Sequence, residues 1–154
     1  MKDKPLKVYL MGSMRNPRVQ DIATRLRLKG FDVFDDWQSP GPEADDHWQA
    51  YERARGRSYK EALYGVHATT VFELDKKHLD EADIAVMIMP CGKSAHLEAG
   101  WKAKTHPVYI LFDEEPERYD IMYRFATDIF FDEEELLQVL SLELRRPLEE
   151  YRDE

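Results

Sequence analysis

Glu98 is the residue of this chain whose surroundings most favour chemistry. It follows the apolar run 84–89, which is typical of a buried strand, and it falls in the first turn of the helix predicted to come next. In open α/β sheets, ligands bind at the carboxyl ends of the strands. A helix N-terminus favours an ionised carboxylate, and such a group can attack an electron-poor carbon. Many first-turn glutamates only complement the helix dipole, so Glu98 alone does not establish a site.

Asp75 is the second candidate for a chemical role. In a helix it shares one face with Phe72 and Leu79, at spacings of three and four residues. A carboxylate in an apolar stripe is costly unless it is paired or used. The pattern does not decide between a functional acid and one bonded to a nearby amide or cation. Asp83 opens the third predicted strand, where a structural capping role is the better explanation.

Two loops and one tryptophan are candidates for ligand contacts. Gly12, Ser13 and Arg15 link the first predicted strand to its helix, the corner where anions commonly bind. This loop has neither the dinucleotide-binding nor the P-loop glycine pattern, and Arg15 could equally be an ordinary surface cation. Ser94 is a predicted N-cap, and the glycine two residues before it allows close approach of the backbone to a ligand. Trp37 lies in the predicted loop 35–42. The other aromatic residues of the 37–64 segment are predicted to be core or subunit contacts.

Metal and thiol chemistry are not predicted. His96 and Glu98 are two residues apart and do not share a helix face, and the chain has no zinc-binding signature. Cys91 has no histidine base at a suitable spacing, so packing is its expected role. We therefore expect no metal and no cofactor.

The elements that must position these residues follow from the hydrophobic pattern. Apolar strands alternate with helices, and several strands are continuously apolar, which is typical of a parallel sheet covered on both faces. We predict an α/β fold: one doubly wound, flavodoxin-like (Rossmann-like) domain with a mainly parallel sheet of about five strands. The predicted strands are 6–11, 31–34, 84–89, 108–112 and 129–131, and the predicted helices are 17–29, 43–64 (with a weak point at Gly56), 66–81, one from Ser94, and 133–144.

Composition narrows the range of functions. The 154 residues are expected to form a single domain, 1–154. The net charge of -9 argues against binding a nucleic-acid polymer. Part of the excess lies in a predicted acidic tail at about 145–154. With one cysteine, no signal-peptide pattern and no apolar run long enough to span a membrane, we expect a cytoplasmic protein without membrane contact.

Three short motifs occur together in a characteristic order. The first is the run 8–15, with Tyr9 in the strand and Gly-Ser in the loop after it. The second is Asp75, separated by seven residues from Asp83 at the start of a strand. The third is the run 94–100, a serine-containing loop followed by Glu-x-Gly. Together they resemble the nucleoside 2-deoxyribosyltransferase family, which includes the 2'-deoxynucleoside 5'-phosphate N-hydrolases.

The resemblance implies a role for each of the central residues. Glu98 would be the nucleophile that attacks C1' of a deoxyribosyl group to give a glycosyl-enzyme intermediate. Asp75 would hold the sugar hydroxyls or handle the proton on the base. Tyr9 would orient Glu98 through a hydrogen bond. The transition state of such a reaction is oxocarbenium-like, so a nearby carboxylate stabilises it.

The resemblance also implies how substrate and partner chains are bound. Ser13, Arg15 and Ser94 match positions that hold a 5'-phosphate in the hydrolases, which slightly favours nucleotides over free nucleosides. Gly92 stands where transferases often have another acid, so transfer to a base and transfer to water both stay open. Family members are commonly dimers or larger, so a homodimer or higher homo-oligomer is expected. The full set of predicted substrate-binding residues is Gly12, Ser13, Arg15, Trp37, Gly92 and Ser94.

Two other functions remain open at this level. The chain could be a nucleotide-binding sensor that keeps the pocket without turnover. It could also be an NAD glycohydrolase resembling TIR domains, which also place a glutamate in a flavodoxin-like pocket. The spacing of Asp75 and Asp83 fits the deoxyribosyltransferases better.

Overall fold

The computed structural model describes residues 4–144 and is built around a five-stranded sheet. All four strand pairs are parallel, and the order across the sheet is β2-β1-β3-β4-β5, which is the flavodoxin-like arrangement. The prediction of a mainly parallel sheet of about five strands is confirmed. The strands are β1 (Lys7–Met11), β2 (Asp32–Phe34), β3 (Ile84–Ile88), β4 (Val108–Leu111) and β5 (Asp128–Phe130).

Six α-helices and two short 3-10 helices connect the strands in the described part of the chain. The α-helices are α1 (Arg18–Leu28), α2 (Ala44–Ala54), α3 (Tyr59–Leu63), α4 (Val66–Glu81), α5 (Lys93–Ala103) and α6 (Glu133–Glu143), and the 3-10 helices are Asp36–Gln38 and Ile121–Phe125. The predicted helix at 66–81 is confirmed at both ends.

The alternation of side chains along the strands gives the sheet two buried faces. Val8 and Leu10 of β1 pack on one face with residues of α1 and α6, such as Ile22 and Leu137. Tyr9 and Met11 of β1 pack on the opposite face with residues of α4 and α5. Because successive residues of a strand point to opposite sides, β1 contributes to both cores, as a central strand must. The predicted double winding is therefore confirmed.

The helix predicted at 43–64 is divided in two at Gly56, its predicted weak point. The structure has two helices there, α2 and α3, separated at 55–58. Gly56 has a φ of 74°, a left-handed conformation that glycine adopts at little cost and that ends a helix. Ser58 then starts α3 with a capping box. The Ser58 side chain accepts from the Glu61 amide, and the Glu61 side chain accepts from the Ser58 amide.

The direction of chain progression reverses between β1 and β3, and this point of the sheet lies beside two loops. The loop after β1 contains Gly12 to Asn16, and the loop after β3 contains Pro90 to Gly92. Asn16 joins them, because its Nδ2 donates to the Met89 carbonyl at 3.2 Å and its Oδ1 accepts from the Arg18 amide at 3.1 Å. In open α/β sheets, such a reversal is where ligands bind.

Asp83 has the structural role expected of it. Its Oδ2 accepts from the Lys7 amide at 2.8 Å, and its own amide donates to the Lys7 carbonyl at 2.9 Å. These bonds tie the starts of β1 and β3 together. The predicted acidic tail at 145–154 lies outside the described residues. Within residues 4–144, none of the helices is both long and apolar enough to cross a membrane.

Candidate active site

The centre of the site is a hydrogen bond between a strand and a helix. Tyr9, in the middle of β1, is 1% exposed, and its hydroxyl donates to Glu98 Oε2 on α5. Burial, and then the negative charge of Glu98, raise the pKa of the Tyr9 hydroxyl far above its ordinary value. Tyr9 therefore stays protonated and acts only as a donor to the carboxylate.

Glu98 itself has a shifted pKa, in the direction opposite to the sequence-based expectation. Burial raises the pKa of its carboxyl most, the bond from Tyr9 lowers it and the charge of Asp75 raises it, and the net result is a pKa of about 7. Because α5 begins at Lys93, Glu98 is in the second turn of the helix, and its predicted place in the first turn is wrong. The helix dipole acts mainly within the first turn, so burial determines the direction in which the pKa of Glu98 shifts. A carboxyl with this pKa can exist in either protonation state near neutral pH.

Asp75 lies close enough to this pair to affect both members. Its negative charge raises the pKa values of Tyr9 and of Glu98. The Asp75 carboxyl is partly buried on α4, and burial raises its own pKa. Within residues 4–144, no hydrogen bond or ion pair holds this carboxylate, so a partner amide or cation does not explain its burial. The predicted apolar stripe is only half correct, since Leu79 is 4% exposed and Phe72 is 60% exposed.

Asp36 is a residue of the site that sequence reasoning missed. It begins the short 3-10 helix after β2, and its charge contributes to the raised pKa of Asp75. Three acids, Asp36, Asp75 and Glu98, therefore form a chain of electrostatic neighbours drawn from three different elements. The one sequence signal was its position next to Trp37, in a loop already under consideration.

Trp37 and Gly12 pack against each other at the carboxyl end of β1. The Trp37 indole Nε1 donates to the Leu10 carbonyl at 2.8 Å, and its ring contacts both hydrophobic cores. A Cβ on Gly12 would lie 2.9 Å from Val19 Cγ2 and 3.8 Å from Trp37 Cη2. The glycine is thus required by the packing of α1 and Trp37 on the strand end.

The remaining predicted ligand contacts lie on the surface around the two loops. Ser13 Oγ accepts from the Arg15 amide at 3.2 Å, and the Arg15 side chain is exposed. Gly92 and Ser94 are exposed at the start of α5. The cap of α5 is Gly92 without a side-chain bond, so the prediction of Ser94 as the N-cap is wrong.

Cys91 and His96 do not form a nucleophile and its base. The Cys91 Sγ is 3.9 Å from His96 Nδ1, but Nδ1 is 2.7 Å from the Gly92 carbonyl, to which it must donate. A nitrogen that carries this proton cannot accept another. Burial also raises the pKa of the Cys91 thiol to about 11. Across the described range 4–144, no group of three His, Cys, Asp or Glu residues could hold a metal ion.

Comparison with known proteins links this geometry to two solved structures. Neither a protein-family model nor the sequence of a curated protein matches the chain. A 2-deoxyribosyltransferase from Bacillus psychrosaccharolyticus matches with a TM-score of 0.58 and 19% identity, over 84% of this chain and 89% of that one. A CMP N-glycosidase from Clostridium botulinum matches with a TM-score of 0.50 and 20% identity, over 88% and 98%. The resemblance inferred from three motifs is confirmed at the level of the fold.

The opposing influences on Glu98 give a prediction for two variants. Tyr9→Phe removes a donor to the carboxylate and should raise the pKa of Glu98 above about 7. Asp75→Asn removes a negative charge and should lower it below about 7. The measurement is a carboxyl ¹³C NMR titration of glutamate-labelled protein, with Glu98 assigned through Glu98→Gln. Tyr123→Phe is the control, because the Tyr123 hydroxyl bonds His96 instead. Shifts of the same sign in Tyr9→Phe and Asp75→Asn would contradict the assignment.

Proposed function

We propose that this protein cleaves the N-glycosidic bond of a deoxynucleoside or its 5'-monophosphate and transfers the sugar to another base or to water. The observation that carries the proposal is the Glu98 carboxylate held by Tyr9, with Asp75 beside it and no cation paired to either acid among residues 4–144. The shared fold supports it, since a 2-deoxyribosyltransferase and a CMP N-glycosidase have the same architecture.

The proposed first step is attack by ionised Glu98 on C1'. A carboxylate oxygen forms a bond to C1', the C1'–N bond breaks, and its electron pair leaves with the base. Tyr9 donates to Oε2, which leaves Oε1 free for the attack and fixes the plane of the carboxylate. As positive charge develops on the sugar, the negative charge of Glu98 stabilises it.

Asp75 is proposed to manage the proton of the base. Burial raises the pKa of its carboxyl, so it holds a proton more readily than an ordinary aspartic acid. A nucleobase that has been protonated leaves as a neutral molecule, and it leaves more easily than a nucleobase that must depart as an anion. In the second step, water or a second base attacks C1', the ester bond to Glu98 breaks, and the carboxylate is regenerated. The same acid accepts the proton that the attacking group loses.

The 5'-phosphate, where the substrate has one, is proposed to bind at the two loops beside the site. Ser13 and Arg15 follow β1 and Ser94 lies in the first turn of α5, so hydroxyls, a guanidinium and a helix N-terminus are available there. The exposed Arg15 guanidinium has no ion pair in the described part of the chain.

We also propose that the protein works as a homodimer or a larger homo-oligomer. Large apolar side chains are exposed on α3 and α4, among them Tyr59, Val66 and Phe72, and exposed apolar surface of this kind commonly marks an interaction site. Sedimentation velocity should give a mass of at least two chains. Phe72→Ser should weaken association by roughly tenfold, whereas Leu28→Ser, exposed at the end of α1, should not. A monomer at all concentrations would contradict this part of the proposal.

Glu98→Gln tests the proposed activity directly. The wild-type protein is incubated with a panel of deoxynucleosides, their monophosphates and NAD, with and without a second free base, and the products are separated by chromatography. The variant should lose base release by about 10³-fold or more, the scale expected when a nucleophile is removed. Glu73→Gln, an exposed glutamate on α4, is the matched control and should keep full activity.

Each product pattern of that assay has one meaning. A free base alone means transfer to water, and a new nucleoside means transfer to a base. Nicotinamide release from NAD would replace the proposal with a glycohydrolase of the TIR type. Ligand binding without turnover would favour the sensor, and an equally active Glu98→Gln would exclude the proposed nucleophile.

The raised pKa of Glu98 also predicts the pH dependence of the reaction. Only the ionised carboxylate attacks C1', so kcat/KM should rise with pH as Glu98 ionises around pH 7, and loss of the Asp75 proton should lower it again at higher pH. Tyr9→Phe should move this rise to higher pH, because the carboxylate loses its donor. The measurement is a pH profile of initial rates at low substrate concentration. A flat profile from pH 5 to 8 would show that no carboxyl with a pKa of about 7 controls the reaction, which would contradict this role for Glu98.

A further inference from the structure

A column of three stacked rings lies behind the Tyr9–Glu98 bond. The Tyr9 and Phe34 rings have centroids 5.2 Å apart with an interplanar angle of 23°. The Phe34 and His78 rings are closer, with centroids 4.0 Å apart and an angle of 14°. Tyr9 and Phe34 are partners in the β1–β2 register. The column therefore begins on the sheet and ends on α4.

His78 is fixed at its outer end by a lysine. Lys7 Nζ lies 2.7 Å from His78 Nδ1. An ammonium group has no acceptor site, so Nδ1 accepts, and the ring proton is on Nε2. Lys7 precedes Tyr9 by two residues on β1, so both side chains project from the same face of the strand. The imidazole plane is thereby held in register with the strand that carries Tyr9.

His78 also belongs to the helix face that carries Asp75. The two residues are three apart on α4 and point in similar directions. The charged group in contact with the imidazole is Lys7 from β1, and Glu81 Oε2 of α4 lies 3.4 Å from Lys7 Nζ. One ring thus connects the helix of the proposed acid to the strand of the tyrosine that holds the proposed nucleophile.

We infer that His78 is a positioning residue, which acts through Phe34 to hold the Tyr9 hydroxyl on Glu98 while keeping α4 and Asp75 at a fixed distance from that carboxylate. Its significance for catalysis rests on the proposed function, whereas its effect on the Tyr9 hydroxyl does not. A residue that only filled space would need no flat ring at this position. The nearly parallel rings and the bond to Lys7 fix the orientation of the His78 ring and of the Phe34 ring stacked on it. The Tyr9 ring, stacked on Phe34, must in turn have a fixed orientation for its hydroxyl to reach Glu98 Oε2.

The test follows the Tyr9 hydroxyl proton by NMR, independently of turnover. A hydroxyl bonded to a buried carboxylate should give a downfield, slowly exchanging resonance, assigned by its loss in Tyr9→Phe. His78→Ala and His78→Leu should broaden or abolish it, and His78→Phe, which keeps a flat ring, should retain it. Lys77→Ala, exposed on the same helix, is the control and should leave it unchanged. His78→Leu serves as the second variant should His78→Ala fail to fold.

Kinetics then separate positioning from stability. In His78→Leu, kcat should fall about tenfold or more with KM within about twofold of wild type, since small misplacements of reacting groups reduce the chemical step. His78→Phe should restore most of the loss. An unchanged hydroxyl resonance in His78→Leu, or no Tyr9-dependent resonance in the wild type, would overturn the inference. Absence of any glycosidic cleavage by the wild type would instead refute the proposed function and leave the NMR result to decide the positioning role.

Discussion

The hydrogen bond from Tyr9 to Glu98 is the interaction on which the rest of the site depends. It connects residues 89 positions apart in the chain, and it needs β1 inside the sheet, between β2 and β3, with α5 packed against the same face. Placing a carboxylate in the interior is costly unless a donor compensates for the lost water. Tyr9 is well suited to that task, because its own burial keeps its hydroxyl protonated. The strand supplies a fixed donor and the helix supplies the acid.

The neighbouring acid Asp75 has the opposite effect to Tyr9, because it raises the pKa of Glu98 instead of lowering it. Asp36 acts on Asp75 and Asp75 acts on Glu98, each raising the pKa of the next. No single element of the fold could produce this arrangement, because the acids come from the 3-10 helix after β2, from α4 and from α5. Asp36 and Glu98 converge because parallel strands end at one edge of the sheet and the segments that follow them begin there, whereas Asp75 is supplied by α4, which packs across that face. The fold thus brings a cluster of three acids close to one neutral donor, the Tyr9 hydroxyl.

The sequence predicted the fold well because the elements of the sheet are continuous and apolar, as in 84–89, and because helices such as α1 bury apolar residues at helical spacing. The sequence-based predictions were less accurate where a feature depends on the backbone conformation of one residue or on contacts between residues far apart in the chain. Gly56 was recognised as a weak point, but the pattern of side chains does not show that its left-handed backbone conformation ends α2. The place of Glu98 in its helix depended on whether Gly92 or Ser94 came first, and the local pattern favoured the serine. Burial of Glu98 and the proximity of Asp36 to Asp75 are tertiary facts, and no spacing along the chain encodes them. Gly12 was expected only as part of a loop that binds an anion, and its packing role, in which a side chain there would meet Val19 Cγ2, is a further tertiary fact.

A buried carboxyl with a raised pKa weakens the fold when it ionises. The unfolded chain releases the Glu98 proton near pH 4.5, whereas the folded chain holds it to about pH 7. Between these values the folded state binds more protons than the unfolded state, so the contribution of Glu98 to stability decreases as the pH rises through that window. A glutamine at this position would avoid the penalty and keep the bond from Tyr9. The sheet, buried on both faces, and the column of Tyr9, Phe34 and His78 must therefore tolerate a charge that the interior disfavours. A purely structural role gives no reason for such a charge, and a reaction that needs an ionised, oriented carboxylate gives one.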